Sequence, residues 1–167
     1  MIITTFNIRG LGGNPKFLSL KRMFDGIRPD ILCVQETMTT AEKACSYFLH
    51  LFPGWEVAAL DAHGLSGGVL YIWNPRVCEL KAFSSSAGIL LTGFFRGCNT
   101  KLKLLNVYGP YREREVFWDK LARSGLLNDH VLILMGDLYF TLSATEVWST
   151  KTWDPLMNYF NSLISVS

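Results

Sequence analysis

The sequence predicts an α/β (α+β) fold in which one sheet packs on another, with helices outside. Strand-like segments outnumber helical ones, and several follow one another directly, where a strict βαβ repeat would insert a helix each time. A chain of 167 residues with 49% hydrophobic content has the length of one domain and enough apolar mass for a substantial core.

Taken in order, residues 2–7 form a first strand, and GLGGN at 10–14 a turn-rich loop. Phe17, Leu20, Phe24 and Ile27 recur at helical spacing, and Pro15 suits a helix start, so 15–27 is a helix. Arg28-Pro29-Asp30 breaks it before a strand over 31–36. A second helix over 40–51 puts Ala44, Tyr47, Phe48 and Leu51 on one face. Strands are expected at about 55–60, 68–73, 77–83, 88–95 and 102–107, with SGG at 66–68 as a flexible turn. Residues 113–127 read as a helix carrying Val116, Phe117, Leu121 and Ala122, and 131–136 as a strand. Asp154 as N-cap and Pro155 at the first helical position open a last helix. Its stripe of Leu156, Tyr159, Phe160, Leu163 and Ile164 needs a partner, and the chain stops at Ser167.

Sixteen Lys+Arg against 14 Asp+Glu give a net charge of +2, too mild to imply nucleic acid on its own. No run reaches the roughly 18 apolar residues of a membrane span, and no signal peptide is visible, so no membrane partner is expected and an intracellular site, nucleus or cytoplasm, is. Cys33, Cys45, Cys78 and Cys98 are widely spaced, which fits neither a zinc site nor a disulfide framework and suits a reducing compartment.

Three apolar runs end on a group able to hold a metal or a phosphate. MIITTFN ends at Asn7, DILCVQE at Glu36 and VLILMGD at Asp137. Each alone is an ordinary turn residue. Together, on rigid strand ends, they make a site.

The motifs NIRG (7–10), QE (35–36), SGG (66–68), NVYGP (106–110) and GD (136–137), in that order, resemble the endonuclease/exonuclease/phosphatase superfamily. That group includes pancreatic DNase and the apurinic/apyrimidinic endonucleases. The longer strings NIRGLGG, PDILCVQET, NVYGPY followed by FW, and GDLYFTLSATEVW are most similar to the endonuclease domain of plant LINE-type retrotransposons. The resemblance implies a four-layered α/β/β/α sandwich and Mg²⁺-dependent (or Mn²⁺-dependent) hydrolysis of DNA phosphodiesters, with no small-molecule cofactor. It implies that Glu36 is the principal metal ligand, that Asn7 holds the metal–phosphate site by hydrogen bonding, and that Tyr108 contacts the scissile phosphate. Asp137 would orient or deprotonate the attacking water. Arg9, Asn106 and Tyr139 are the substrate-binding candidates, with Arg9 open between phosphate contact and plain surface. Mg²⁺ prefers oxygen ligands and one or two carboxylates, which explains these residue types.

Two departures bear on activity. The family's GDxN motif has Tyr139 where Asn is expected, a bulky phenol for a small amide. The family's late Asp-His pair has no counterpart after Asp137; the histidines are His50, His63 and His130, and none matches that position. Loss of a positioned acid–base typically costs about 10²–10⁴-fold in rate. The expectation is therefore a single domain over 1–167, truncated at its C-terminal end and weakly active or inactive as an endonuclease. The alternatives are a working phosphodiesterase and a non-catalytic module that binds nucleic acid or protein.

Overall fold

A computed structural model of the protein describes residues 1–12, 14–63, 66–97, 101–146 and 154–165. Gly13, Cys98, Val147, Trp148 and Ser167, and the side chains of Phe17, His63 and Ser66, lie outside the described residues. The elements run β1 (Ile3–Asn7), α1 (Asn14–Ile27), β2 (Ile31–Gln35), α2 (Ala41–Leu51), β3 (Glu56–His63) and β4 (Ser66–Trp73). They continue with β5 (Cys78–Ser85), β6 (Gly88–Phe95), β7 (Lys101–Tyr108), α3 (Arg114–Arg123), β8 (Leu132–Asp137) and α4 (Met157–Ser165). Two short 3₁₀ turns lie at Leu126–Asn128 and Ala144–Glu146.

Side-chain alternation along the strands builds the layers. On β2, Ile31 and Cys33 face one core and Leu32 and Val34 another. On β4, Val69, Tyr71 and Trp73 join the first core, and Leu70 and Ile72 the second. The first core lies between the two sheets, where it meets Leu80 of β5, Ile89 and Leu91 of β6 and Leu104 of β7. The second packs sheet β1-β2-β4-β3 against Leu20 of α1 and Ala44 and Phe48 of α2. A third packs sheet β5-β6-β7-β8 against Trp118 and Leu121 of α3 and Phe160 of α4. The order helix, sheet, sheet, helix is the sandwich expected from the sequence.

Strand direction decides where the functional ends fall. β1 and β2 pair in parallel, with Asn7 opposite Gln35. β7 and β8 also pair in parallel, with Tyr108 opposite Asp137. Parallel partners exit at the same end, so each sheet delivers two strand ends to one place. Gly136 permits the second pairing. Its φ is +123°, and a Cβ there would lie 1.9 Å from the Val107 carbonyl oxygen.

Two helix faces differ from expectation. Val116 is exposed, and Trp118 is the fully buried residue of α3 beside Leu121. Trp118 and Leu121 share an i, i+3 face, and Val116 lies on the other side. The stripe on α4 finds its partner within the chain, contrary to expectation. The ring of Phe160 stacks on Phe140 at 4.8 Å and meets Trp118 edge-on at 6.4 Å. Asp154 still caps this helix, its carboxylate accepting from the Leu156 N–H at 3.0 Å. Among the described residues no helix is long and apolar enough to cross a membrane.

Candidate active site at the strand ends

Two sheets meet at this end of the sandwich, and one hydrogen bond joins them through their functional groups. Asn7 at the exit of β1 donates from Nδ2 to Oδ2 of Asp137 at the exit of β8, 3.2 Å away. The Asn7 Oδ1 accepts the Arg9 N–H at 3.1 Å, which fixes the amide's orientation. Asp137 also accepts from the backbone N–H of Tyr139. Residues 130 positions apart in sequence are thus held in contact.

Glu36 follows β2 directly and is 9% exposed. Its backbone is left-handed, with φ +54°, and Arg9 and Tyr139 share this strained region at +49° and +52°. Non-glycine residues held there cost about 1–3 kcal/mol each and concentrate at functional sites. Surrounding bonds enforce the geometry. The Gly10 N–H donates to the Glu36 carbonyl at 2.6 Å, and Thr37 N–H donates to Gly68 O at 3.2 Å. Lys16 Nζ donates to the carbonyls of Ile8, Arg9 and Gly10, and so cross-braces the loop after β1.

The electrostatics follow from this crowding. Burial, opposed by the Asn7 hydrogen bond and reinforced by the charge of Glu36, holds the Asp137 carboxyl above the ordinary carboxylate range. Tyr108 is pushed up by burial first, then by its bond to Tyr139 and by the charges of Glu36 and Asp137. Its hydroxyl is therefore neutral at any physiological pH. Neither Glu36 nor Asp137 has an ion-pair partner among the described residues. Two uncompensated carboxylates in one cleft suit a hard divalent cation, which completes its shell with water and phosphate oxygens. Among the described residues, no group of three or more His, Cys, Asp or Glu converges into a closed metal cage.

Tyr139 occupies the position where the sequence comparison expected Asn. Its hydroxyl lies 3.3 Å from that of Tyr108, and the two rings meet edge-to-face at 5.6 Å. Its carbonyl accepts from Arg114 at 2.8 Å, so the phenol is anchored at both ends. Arg9 is exposed, and its charge reaches Asp137, where it lowers the carboxyl's pKa.

Asn106 departs from its expected place at the substrate. It is fully buried, accepting from Gln35 Nε2 at 2.7 Å and donating to Leu70 O at 3.1 Å. It lies on the face of β7 that looks into the sheet interface and ties the two sheets together. Gln35, 2% exposed, bridges onward to Thr5 Oγ1 at 3.1 Å. Sequence reading passed over Gln35 as a functional support; its polarity inside the apolar run ILCVQ was the available signal. His50 and His130 are both exposed, on α2 and ahead of β8, outside the site.

Solved structures with this fold share little sequence with the chain. The 3′ phosphatase NExo from Neisseria, bound to product DNA hairpin, superposes with a TM-score of 0.70 at 17% identity, over 99% of this chain and 70% of that one. An AP endonuclease from Archaeoglobus fulgidus gives 0.69 at 18% identity, over 100% and 71%. The AP endonuclease LMAP from Leishmania major gives 0.70 at 15%, over 98% and 65%. No curated protein matches the sequence. The family profile decides the question that identities this low leave to the fold: matched over residues 4–161, the chain belongs to the Endonuclease/Exonuclease/phosphatase family.

Proposed function

We propose that the chain hydrolyses phosphodiester bonds of DNA at the strand-end cleft, using a divalent cation, Mg²⁺ or Mn²⁺, held by Glu36. The observation that carries this reading is the Asn7–Asp137 hydrogen bond across the sheets, which sets a second carboxylate beside Glu36. When bound, the cation offsets charge on the phosphate in the transition state. The other roles belong to side chains. Asp137, oriented by Asn7 and the Tyr139 N–H, takes a proton from the attacking water as its oxygen bonds to phosphorus. The bond from phosphorus to the departing oxygen breaks, and solvent protonates that oxygen. Tyr108, neutral and half-buried, donates to a non-bridging phosphate oxygen. Arg9 adds positive charge at the rim. The DNA-bound phosphatase and the AP endonucleases of the same fold support DNA as the substrate class. The strings NIRGLGG and NVYGPY support a retroelement origin.

The rate is expected to be low. No described histidine stands in the site to act as an acid–base, a loss of about 10²–10⁴-fold. Nicking of supercoiled plasmid by the purified chain in Mg²⁺, beside EDTA and Glu36→Ala controls, tests the proposal. Slow nicking that needs both Mg²⁺ and Glu36 is expected. Nicking that survives Glu36→Ala would remove Glu36 from the site.

A second reading rests on the Tyr108–Tyr139 contact, which engages the hydroxyl meant for phosphate. In that reading the chain binds DNA without cutting it. Salt-dependent binding with no nicking under any metal would favour it.

A further inference from the structure

Beside the strand-end cleft lies a second feature, a cavity of about 400 Å³ between β3, β4, the β5–β6 turn and the start of α3. Tyr108 joins the two. Its hydroxyl meets Tyr139 in the cleft, while its ring flank lines the cavity and lies 3.6 Å from where a Cβ on Gly67 would sit. Gly67, at φ +81°, thus keeps the ring face clear.

The lining states what fits. Tyr108, Phe117, Pro110 and Leu60 supply aromatic and apolar walls. No Lys or Arg lines the cavity, so it is unsuited to a phosphate. At its rim Asp61 contributes a carboxylate. Oδ1 accepts the Ala41 N–H at 2.6 Å, and the other oxygen takes no hydrogen bond from the described residues. Flat aromatic walls with a hydrogen-bond acceptor at the edge are the features that receive an unstacked base.

We propose that this cavity takes a nucleobase of the substrate next to the scissile phosphate, and that Asp61 selects bases with a ring amino group over thymine. A carboxylate accepts from the amino group of cytosine and finds no such donor on the edge of thymine that bears O4. The proposal rests on the phosphodiesterase reading, in which Tyr108 lies at the phosphate. It implies a substrate that is single-stranded or locally unpaired, because a stacked, paired base cannot enter a side cavity.

Free nucleosides test it without any phosphodiester being cut, so a failed nicking assay and a failed base site are told apart. The intact, isotopically labelled chain is titrated with 2′-deoxycytidine and with thymidine while its amide signals are followed by NMR. The expected result is movement of the Gly67, Gly68, Ala87 and Gly88 amides, with deoxycytidine binding about fivefold or more tighter, the scale of one hydrogen bond to a charged group near solvent. Asp61→Asn keeps an acceptor for the Ala41 N–H and should level the two nucleosides. Absence of movement at these amides in the folded chain overturns the cavity assignment. Equal binding of the two nucleosides to the unaltered chain, or a preference that survives Asp61→Asn, overturns the role of Asp61.

Discussion

Asp137 and Tyr139 show how neighbouring residues set one another's chemistry. Burial and the charge of Glu36 raise the Asp137 carboxyl above its ordinary value of 3.8. The folded chain therefore binds that proton more tightly than the unfolded chain does. Stability tied to this group is present on the acid side and falls as pH rises through the folded value. A ¹³C titration of the Asp137 carboxyl in EDTA should show a midpoint above 3.8, and Glu36→Gln should move it down; an unmoved midpoint would show that the Glu36 charge does not reach it. The same ionisation limits catalysis, so cleavage should fall off on the acid side at a pH higher than an ordinary aspartate would give. Tyr139→Asn should free the Tyr108 hydroxyl and raise Mg²⁺-dependent nicking about tenfold, within the range that placing one hydrogen-bond donor at a transition state supplies. Unchanged nicking by the folded variant would show that the phenol is not what limits the rate.

The elements outside the sheets are fixed by a few polar ties as much as by apolar area. Arg114 at the start of α3 grips Asp154 at the start of α4 through two bonds of 2.7 and 2.8 Å. It also donates to the Tyr139 carbonyl at 2.8 Å and lies 5.6 Å from the Phe160 ring centre. One guanidinium thus links both outer helices to the loop that carries Tyr139. The Arg114 hydrogen bond holds the Asp154 carboxyl below the ordinary range. A depressed carboxylate contributes stability above its unfolded pKa and loses it as pH falls through the folded one. Asp154→Asn should cost about 2–4 kcal/mol at neutral pH, less than a fully buried pair because Arg114 is partly open to solvent, and the difference should shrink in acid. Chemical denaturation at pH 7 and pH 3 measures both; an equal penalty at the two pH values would show that charge is not the cause.

At the scale of the whole molecule, the register between the sheets decides whether there is a site at all. That register is held by apolar packing between the sheets and by the buried Gln35–Asn106 bond of 2.7 Å. Asn106→Leu removes the acceptor and strands the Gln35 amide and the Leu70 carbonyl, at about 1–3 kcal/mol for each orphaned group. The variant should melt lower and also lose nicking, although the wild-type side chain touches no substrate. A lower melting temperature with undiminished nicking would show that the tie serves stability alone. Much of this plan was legible in the chain. The apolar runs ending at Asn7, Glu36 and Asp137 mark strand ends, because a buried strand must be apolar and must stop where polar chemistry begins. The helix before β2 and the cap at Asp154 were equally local, and local rules predicted them. The sequence left open which sheet each strand joins, which face of β7 Asn106 takes, and that Tyr139 turns its hydroxyl onto Tyr108. A single strand's pattern records that it is buried and says nothing of its neighbour. The Asn7–Asp137 contact spans 130 residues and exists only because two parallel pairings aim four strand ends at one point. Sequence determined the chemical groups and the strands that bear them; tertiary structure alone brought those groups within hydrogen-bonding distance, because strand pairing and sheet packing act between segments that no local pattern connects.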